Sequence, residues 1–226
     1  MDKHEKGEEY MNKLKAITKD KTLSDKAYEI IKQAIIANEL KPGDLLTEEK
    51  LAEQLQISRT PIKAALGRLI YEEFAYVNEN KNVVVSDVSP QDVKDITFVR
   101  IALEPAAILL AEGKITDKQI KYLENINQKQ RISFEDGKNE DFLALDYEFH
   151  TKLAEYTGNE YLRQMVEKAN LIVRRFLSLS GPGIKSNILA IEEHEEIVKY
   201  LKSNEFCLAK DTMNKHLSNV RDRFLF

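Results

Sequence analysis

The chain of 226 residues has a single cysteine, Cys207, so no disulfide can form within it and no cysteine-based zinc site is available. That usage fits a reducing compartment, and the expected location is the cytoplasm. Glycine (8) and proline (5) are scarce, which favours long helices over many short strands. No apolar run approaches the ~20 residues that a membrane helix needs. Residues 1–20 form a Lys- and Glu-rich tail with no apolar core of a signal peptide, so neither secretion nor membrane anchoring is expected. Net charge is -4, so the whole molecule is no basic coat for nucleic acid, and any such contact must come from a local patch.

What is present suggests two units. The apolar fraction of 42% is enough to bury sizeable cores. From Ser24, the residues Ala27, Ile30, Ile31, Ala34 and Ile35 recur at helical spacing and predict the inner face of a first helix. Lys41-Pro42-Gly43-Asp44 reads as a turn, since proline presets φ and glycine tolerates positive φ. Thr47 is placed to cap a second helix with Glu48 and Glu49 in its first turn, and Ser58 to cap a third with Pro61 in its first turn. Two valine-rich or aromatic runs, Tyr76 to Asn78 and Val83 to Val85, then alternate like strands and predict a hairpin. Helix, helix, turn, helix, hairpin is the order of a winged helix-turn-helix, here predicted over residues 21–88.

The remainder, residues 89–226, reads as an all-helical bundle opened by Ser89-Pro90-Gln91-Asp92, a cap, a proline at the first helical position and an acid three residues after the cap. Six helices are expected, over about 90–111, 117–135, 139–156, 160–180, 186–202 and 205 to the end. The fold class is therefore mainly α, a winged helix-turn-helix followed by a helical bundle.

Two constellations carry chemistry. Between Ser58 and Ile70 there are three bases, Arg59, Lys63 and Arg68, and no acid. Arg59 and Lys63 share a helix face, and Ser58, Arg59 and Thr60 stand at a helix start, the end that major-groove readers insert. Lys81 falls at the tip of the hairpin, within reach of a phosphate or the minor groove. A solvated basic face on an ordinary helix is the plain alternative. In the bundle, Asp146 and His150 lie four apart on one helix. His194 falls in the stripe Ile191, His194, Val198, Leu201, and His216 in Met213, His216, Val220. Three imidazoles and a carboxylate aimed inward suit Zn²⁺, or Ni²⁺ or Mn²⁺. Each histidine taken singly also reads as a hydrogen-bonded core residue. Arg100 lies on an apolar stripe and needs an anion, either Glu104 one turn on or a ligand. Asn170 on the stripe Val166, Asn170, Val173, Leu177 is a pocket candidate or a core amide.

The run Lys41-Pro42-Gly43-Asp44, Leu46, Glu48, Leu51-Ala52, Leu55 and Ile57 to Leu66 with Leu69 resembles the GntR family signature. Here Lys63 and Ala64 stand where that family usually has Arg and Glu, and no glycine stands near Asn82 in the wing. The pattern Asp146-x-x-x-His150, His194, His216, with Arg100-x-x-Leu103-Glu104, resembles the FCD effector domain of the FadR subfamily, and six helices resemble its VanR-type branch. The resemblance implies a transcription regulator, repressor or activator, that binds a palindromic double-stranded DNA operator as a homodimer. Thr47, Glu48, Ser58, Arg59, Thr60, Lys63, Arg68 and Lys81 would then face DNA. Asp146, His150, His194 and His216 would hold the metal, and Arg100 the carboxylate of a small organic acid beside it. A metal-dependent hydrolase and a sensor of the metal alone are the competing functions.

Overall fold

The computed structural model describes residues 21–181 and 184–224, so the expected tail over residues 1–20, the Pro182-Gly183 part of the fourth helix's stop signal and the last two residues lie outside the described residues. Helix α1 (Leu23–Ile36) starts on a capping box: Thr22 Oγ1 accepts from Asp25 N, and Asp25 Oδ2 accepts from Thr22 N. Its buried face is Ala27, Tyr28, Ile31, Ile35 and Ile36. Ile30, expected inside, is 54% exposed. The stripe is centred on Ile31, and Tyr28 takes the place that the sequence assigned to Ile30. Helix α2 (Glu48–Leu55) ends on Gln56 with φ 54°, and α3 (Arg59–Tyr71) buries Ile62, Ala65, Leu66 and Leu69.

Thr47 and Ser58 stand at the cap positions, but neither side chain makes the cap hydrogen bond expected of it. Their extended backbones shape the entries into α2 and α3. The Thr47 hydroxyl is buried and has no partner among the described residues.

Strands β1 (Ala75–Val77) and β2 (Val83–Val85) pair antiparallel, Tyr76 opposite Val84. The turn before α2 adds a feature that the sequence did not suggest. Gly43, at φ 87°, donates its N–H to Val85 O, Leu46 N donates to Val83 O, and Val85 N donates to Asp44 O. The segment therefore lies along β2 and covers an edge that would otherwise leave backbone groups unpaired.

Behind the head come α4 (Pro90–Leu110), α5 (Asp117–Glu135), α6 (Asn139–Glu155), α7 (Glu160–Ser180), α8 (Ile184–Lys202) and α9 (Phe206–Phe224). Ser89 with Asp92 and Thr116 with Gln119 form capping boxes that fix where α4 and α5 begin. Helix α4 is the spine, packing against α6, α7 and α9, while α5 packs on α6 and α8. The head has its own core around Ile31, Ile62 and Leu69, and the bundle has another around Ile108, Phe149, Ile197 and Met213.

The two units touch through α7. Leu171 packs against the head core, Arg175 Nη2 donates to Ser86 O, and Lys168 lies 3.5 Å from Glu73. Arg175 is buried, so this bond ties the bundle to the connecting segment away from solvent competition.

Candidate metal centre and nucleic-acid face

The centre is assembled from three helices distant in sequence. Helix α6 presents Asp146 and His150 on one side because they are one turn apart. His194 comes from α8 and His216 from α9, helices that pack on each other. All three imidazoles are buried, at 1% exposure or less. One ring nitrogen from each lies within 4.8 Å of the others. His194 Nε2 and His216 Nε2 are 3.3 Å apart, and Asp146 places Oδ1 3.8 Å from His194 Nε2 and Oδ2 3.9 Å from His150 Nε2. Two nitrogens bound tetrahedrally to zinc at ~2.0–2.1 Å stand about 3.3 Å apart, so the closest pair already has the spacing of a coordination edge.

The other ring nitrogens each face a polar side chain. His194 Nδ1 is 3.1 Å from Gln130 Oε1, and Gln130 Nε2 donates to Asp146 Oδ1 at 3.3 Å. His216 Nδ1 is 2.8 Å from Glu193 Oε2, whose second oxygen accepts from Asn219 Nδ2. His150 Nδ1 is 2.5 Å from Glu104 Oε2. Such partners set the tautomer and ring orientation of metal-binding histidines. Among the described residues neither ring nitrogen of the buried His150 has a hydrogen-bond partner, and Nε2 has no ion-pair contact shorter than the 3.9 Å to Asp146. An unpaired imidazole nitrogen facing two others and a carboxylate is costly in a dry core, and a cation removes that cost. Burial pushes the titration of His194 well below the ordinary imidazole value, and neighbouring His216, His150 and Arg100 push the same way. Burial also lowers His216, partly opposed by Glu193. Neutral imidazoles are the ligating form. The donor set therefore fits Zn²⁺, Ni²⁺ or Mn²⁺.

Arg100 and Asn170 lie beside this centre. Arg100, 1% exposed, donates from Nε to Glu104 Oε1 at 2.6 Å, so the internal ion pair exists, yet its buried Nη2 has no partner among the described residues. Asn170 Nδ2 donates to Glu104 Oε1 and to Val166 O. The sequence reading missed Gln130 and Glu193 as partners of the imidazoles. A polar residue at an inward position, such as Gln130 at 0% exposure, was the available signal.

On the head, Arg59, Thr60, Lys63 and Lys81 are exposed, as is Ser58 at the entry to α3. Arg59 is bridged to Glu48 at 3.2 Å across the turn between α2 and α3. Lys81 holds the hairpin tip at φ 60°. Arg68 is engaged within the head instead, paired with Asp25 at 2.8 Å and stacked 3.8 Å over the Tyr28 ring.

Comparison with known proteins accounts for both units. Residues 23–85 match the bacterial regulatory proteins of the gntR family, and residues 95–219 match the FCD domain. The Nta operon transcriptional regulator of Aminobacter aminovorans is 33% identical over 166 residues, covering 74% of this chain and 77% of that protein. The HTH-type transcriptional repressor RspR of Escherichia coli is 24% identical over 200 residues, 88% of each chain. The solved structure of Escherichia coli McbR/YncC shares the fold with a TM-score of 0.80 at 21% identity, covering 91% of this chain and 98% of that one. The hydrolase alternative is thereby set aside, because relatives of this architecture are regulators. With its winged helix-turn-helix head and its helical FCD domain, the chain belongs to the gntR family of bacterial transcription regulators, which are DNA-binding proteins and not enzymes.

Proposed function

We propose that this regulator binds a palindromic operator as a homodimer in the cytoplasm. Its hold on DNA is set by a small carboxylate bound beside a divalent metal in the bundle. The observation that carries the reading is the convergence of three buried imidazoles and Asp146 next to the unpaired Nη2 of Arg100. Asp146, His150, His194 and His216 would hold the metal, which is Zn²⁺ by donor type, with Ni²⁺ and Mn²⁺ as the other candidates. When bound, the ion supplies a Lewis-acidic position for a ligand oxygen. Arg100 supplies hydrogen bonding and charge to the carboxylate. That free guanidinium edge favours an organic acid over the metal alone as effector, since a sensor of the ion alone has no use for it.

The dimer is supported by the outer face of α4, where Phe98 (75% exposed), Val99, Ala102, Ala106, Leu109 and Leu110 form a continuous apolar surface. Its small middle residues, Ala102 and Ala106, would let the α4 of a second copy cross it closely. The head would place α3 in the major groove through Ser58, Arg59, Thr60 and Lys63, with Thr47 and Glu48 at the preceding helix entry and Lys81 on the wing. The test is operator binding by fluorescence anisotropy with DNA from the gene's own upstream region. Protein stripped with chelator is compared with protein given Zn²⁺, then with a panel of small mono-, di- and tricarboxylates. The reading expects affinity to change with a carboxylate only when metal is present. A shift with metal alone and none with any acid supports the sensor of metal alone, and a folded dimer that binds no upstream site overturns the proposal.

A further inference from the structure

We propose that Glu104 is the positioning residue that ties the anion-binding arginine to the imidazoles, and this inference rests on the reading above. Glu104 lies on α4 one turn after Arg100 and is 3% exposed. Its Oε1 accepts from Arg100 Nε at 2.6 Å and from Asn170 Nδ2 at 2.9 Å. Its Oε2 lies 2.5 Å from His150 Nδ1 in an ion-pair contact, and among the described residues neither atom has a hydrogen-bond partner. One carboxylate thus spans α4, α6 and α7 and touches both halves of the site.

Two consequences follow from donor and acceptor chemistry. An ionised carboxylate only accepts, so the atom facing it at 2.5 Å carries the proton. His150 is then the Nδ1–H tautomer, with Nε2 bare and directed toward Asp146 and the other imidazoles. The opposite tautomer would oppose two lone pairs at Glu104 and put a proton where the metal binds. Glu104 also occupies Arg100 Nε, which leaves the Nη2 edge as the free one. A ligand carboxylate therefore meets the guanidinium from its Nη side, at an orientation chosen by Glu104.

The substitution Glu104→Gln keeps the shape and removes one acceptor. With its amide NH₂ toward His150, Gln selects the Nε2–H tautomer. With the amide reversed, its donors oppose those of Arg100 and Asn170. Either orientation weakens the site. Calorimetric titration with Zn²⁺ alone is expected to show a loss of about 10–100-fold in affinity, the range found when such supporting partners of a metal ligand are removed. The decisive measurement reads the tautomer itself. Long-range ¹H–¹⁵N spectra of the metal-free wild-type protein are expected to show His150 protonated on Nδ1, with the E104Q chain moved toward Nε2–H. An Nε2–H wild-type His150, or E104Q protein with unchanged Zn²⁺ affinity, overturns the inference. A wild-type chain that shows the Nδ1–H tautomer and takes up no Zn²⁺, Ni²⁺ or Mn²⁺ supports the positioning by Glu104 and overturns the metal reading instead.

Discussion

Acidifying the metal-free protein from about pH 7.5 to about pH 5.5 should destabilise the bundle through His194 and His216. Both imidazoles are fully buried and held neutral, with burial as the first cause of their lowered titration. In the unfolded chain the same groups titrate near ~6.5. Below that value the unfolded state binds protons that the folded state refuses, so stability falls as pH falls. The contribution is complete above ~6.5 and is lost on the way down toward the depressed folded values. One unit below ~6.5, a neutral buried imidazole costs a little over 1 kcal/mol, and two cost ~3 kcal/mol. That sum is an upper figure, because Glu193 and Asp146 favour the charged form of His216. For a protein of this size each kcal/mol moves Tm by ~2–4 °C, so the drop is on the order of 6–12 °C.

Glu104 does not enter this window. Burial raises its carboxyl, but Arg100 and His150 outweigh that and hold it well below the carboxylate range. Its contribution is present above the unfolded value of ~4.3 and is lost only in stronger acid. The assay is Tm by circular dichroism in chelator at three pH values, for wild type and for His194→Gln. The variant should lose about 1 kcal/mol of the wild-type pH dependence. Parallel curves for the two proteins would refute the reasoning, because they would mean that His194 is as easily protonated folded as unfolded.

Three further outcomes are expected. Leu69→Ala empties a fully buried position in the head core and should cost ~2–5 kcal/mol in urea unfolding; a loss under ~1 kcal/mol would contradict the tight packing around it. Arg59→Ala should weaken operator binding by about 1–3 kcal/mol in anisotropy titrations, whereas Arg68→Ala should lower head stability and leave affinity nearly unchanged, since its guanidinium is spent on Asp25 and Tyr28; the reverse pattern would refute this division. Arg175→Ala removes a charged donor from Ser86 O and should loosen the joint by ~1.5–3 kcal/mol, seen as faster proteolysis between Val85 and Ser89, and an unchanged cleavage rate would count against the clasp.

Much of the architecture was legible because its signals are local. The predicted and observed bounds coincide for α5 (Asp117–Glu135) and α7 (Glu160–Ser180), and α4 begins at Pro90 as its cap dictates. A helix start needs only a capping side chain and the next three residues, all of which the sequence holds together. The inward aim of His150, His194 and His216 was legible for the same reason, since each occupies an apolar stripe on its own helix. Ile30 marks the limit of that logic. Its spacing fits the stripe, but neighbouring elements decide which edge of a wide apolar face is covered, and Tyr28 is covered instead.

Sequence alone therefore determined the elements, their order, the inward-facing histidines and the family resemblance. Tertiary structure decided which groups meet. Gln130 reaches His194 across 64 residues, and Asn170 reaches Glu104 across 66. No periodicity encodes those encounters, because they depend on how helices pack rather than on any local pattern. The same holds for Arg100, whose two readings from sequence turned out not to exclude each other. Its Nε is committed to Glu104 while its Nη2 stays unpaired among the described residues, and only the packing of α4 against α6 and α7 divides one guanidinium between an internal partner and a buried, unpaired edge.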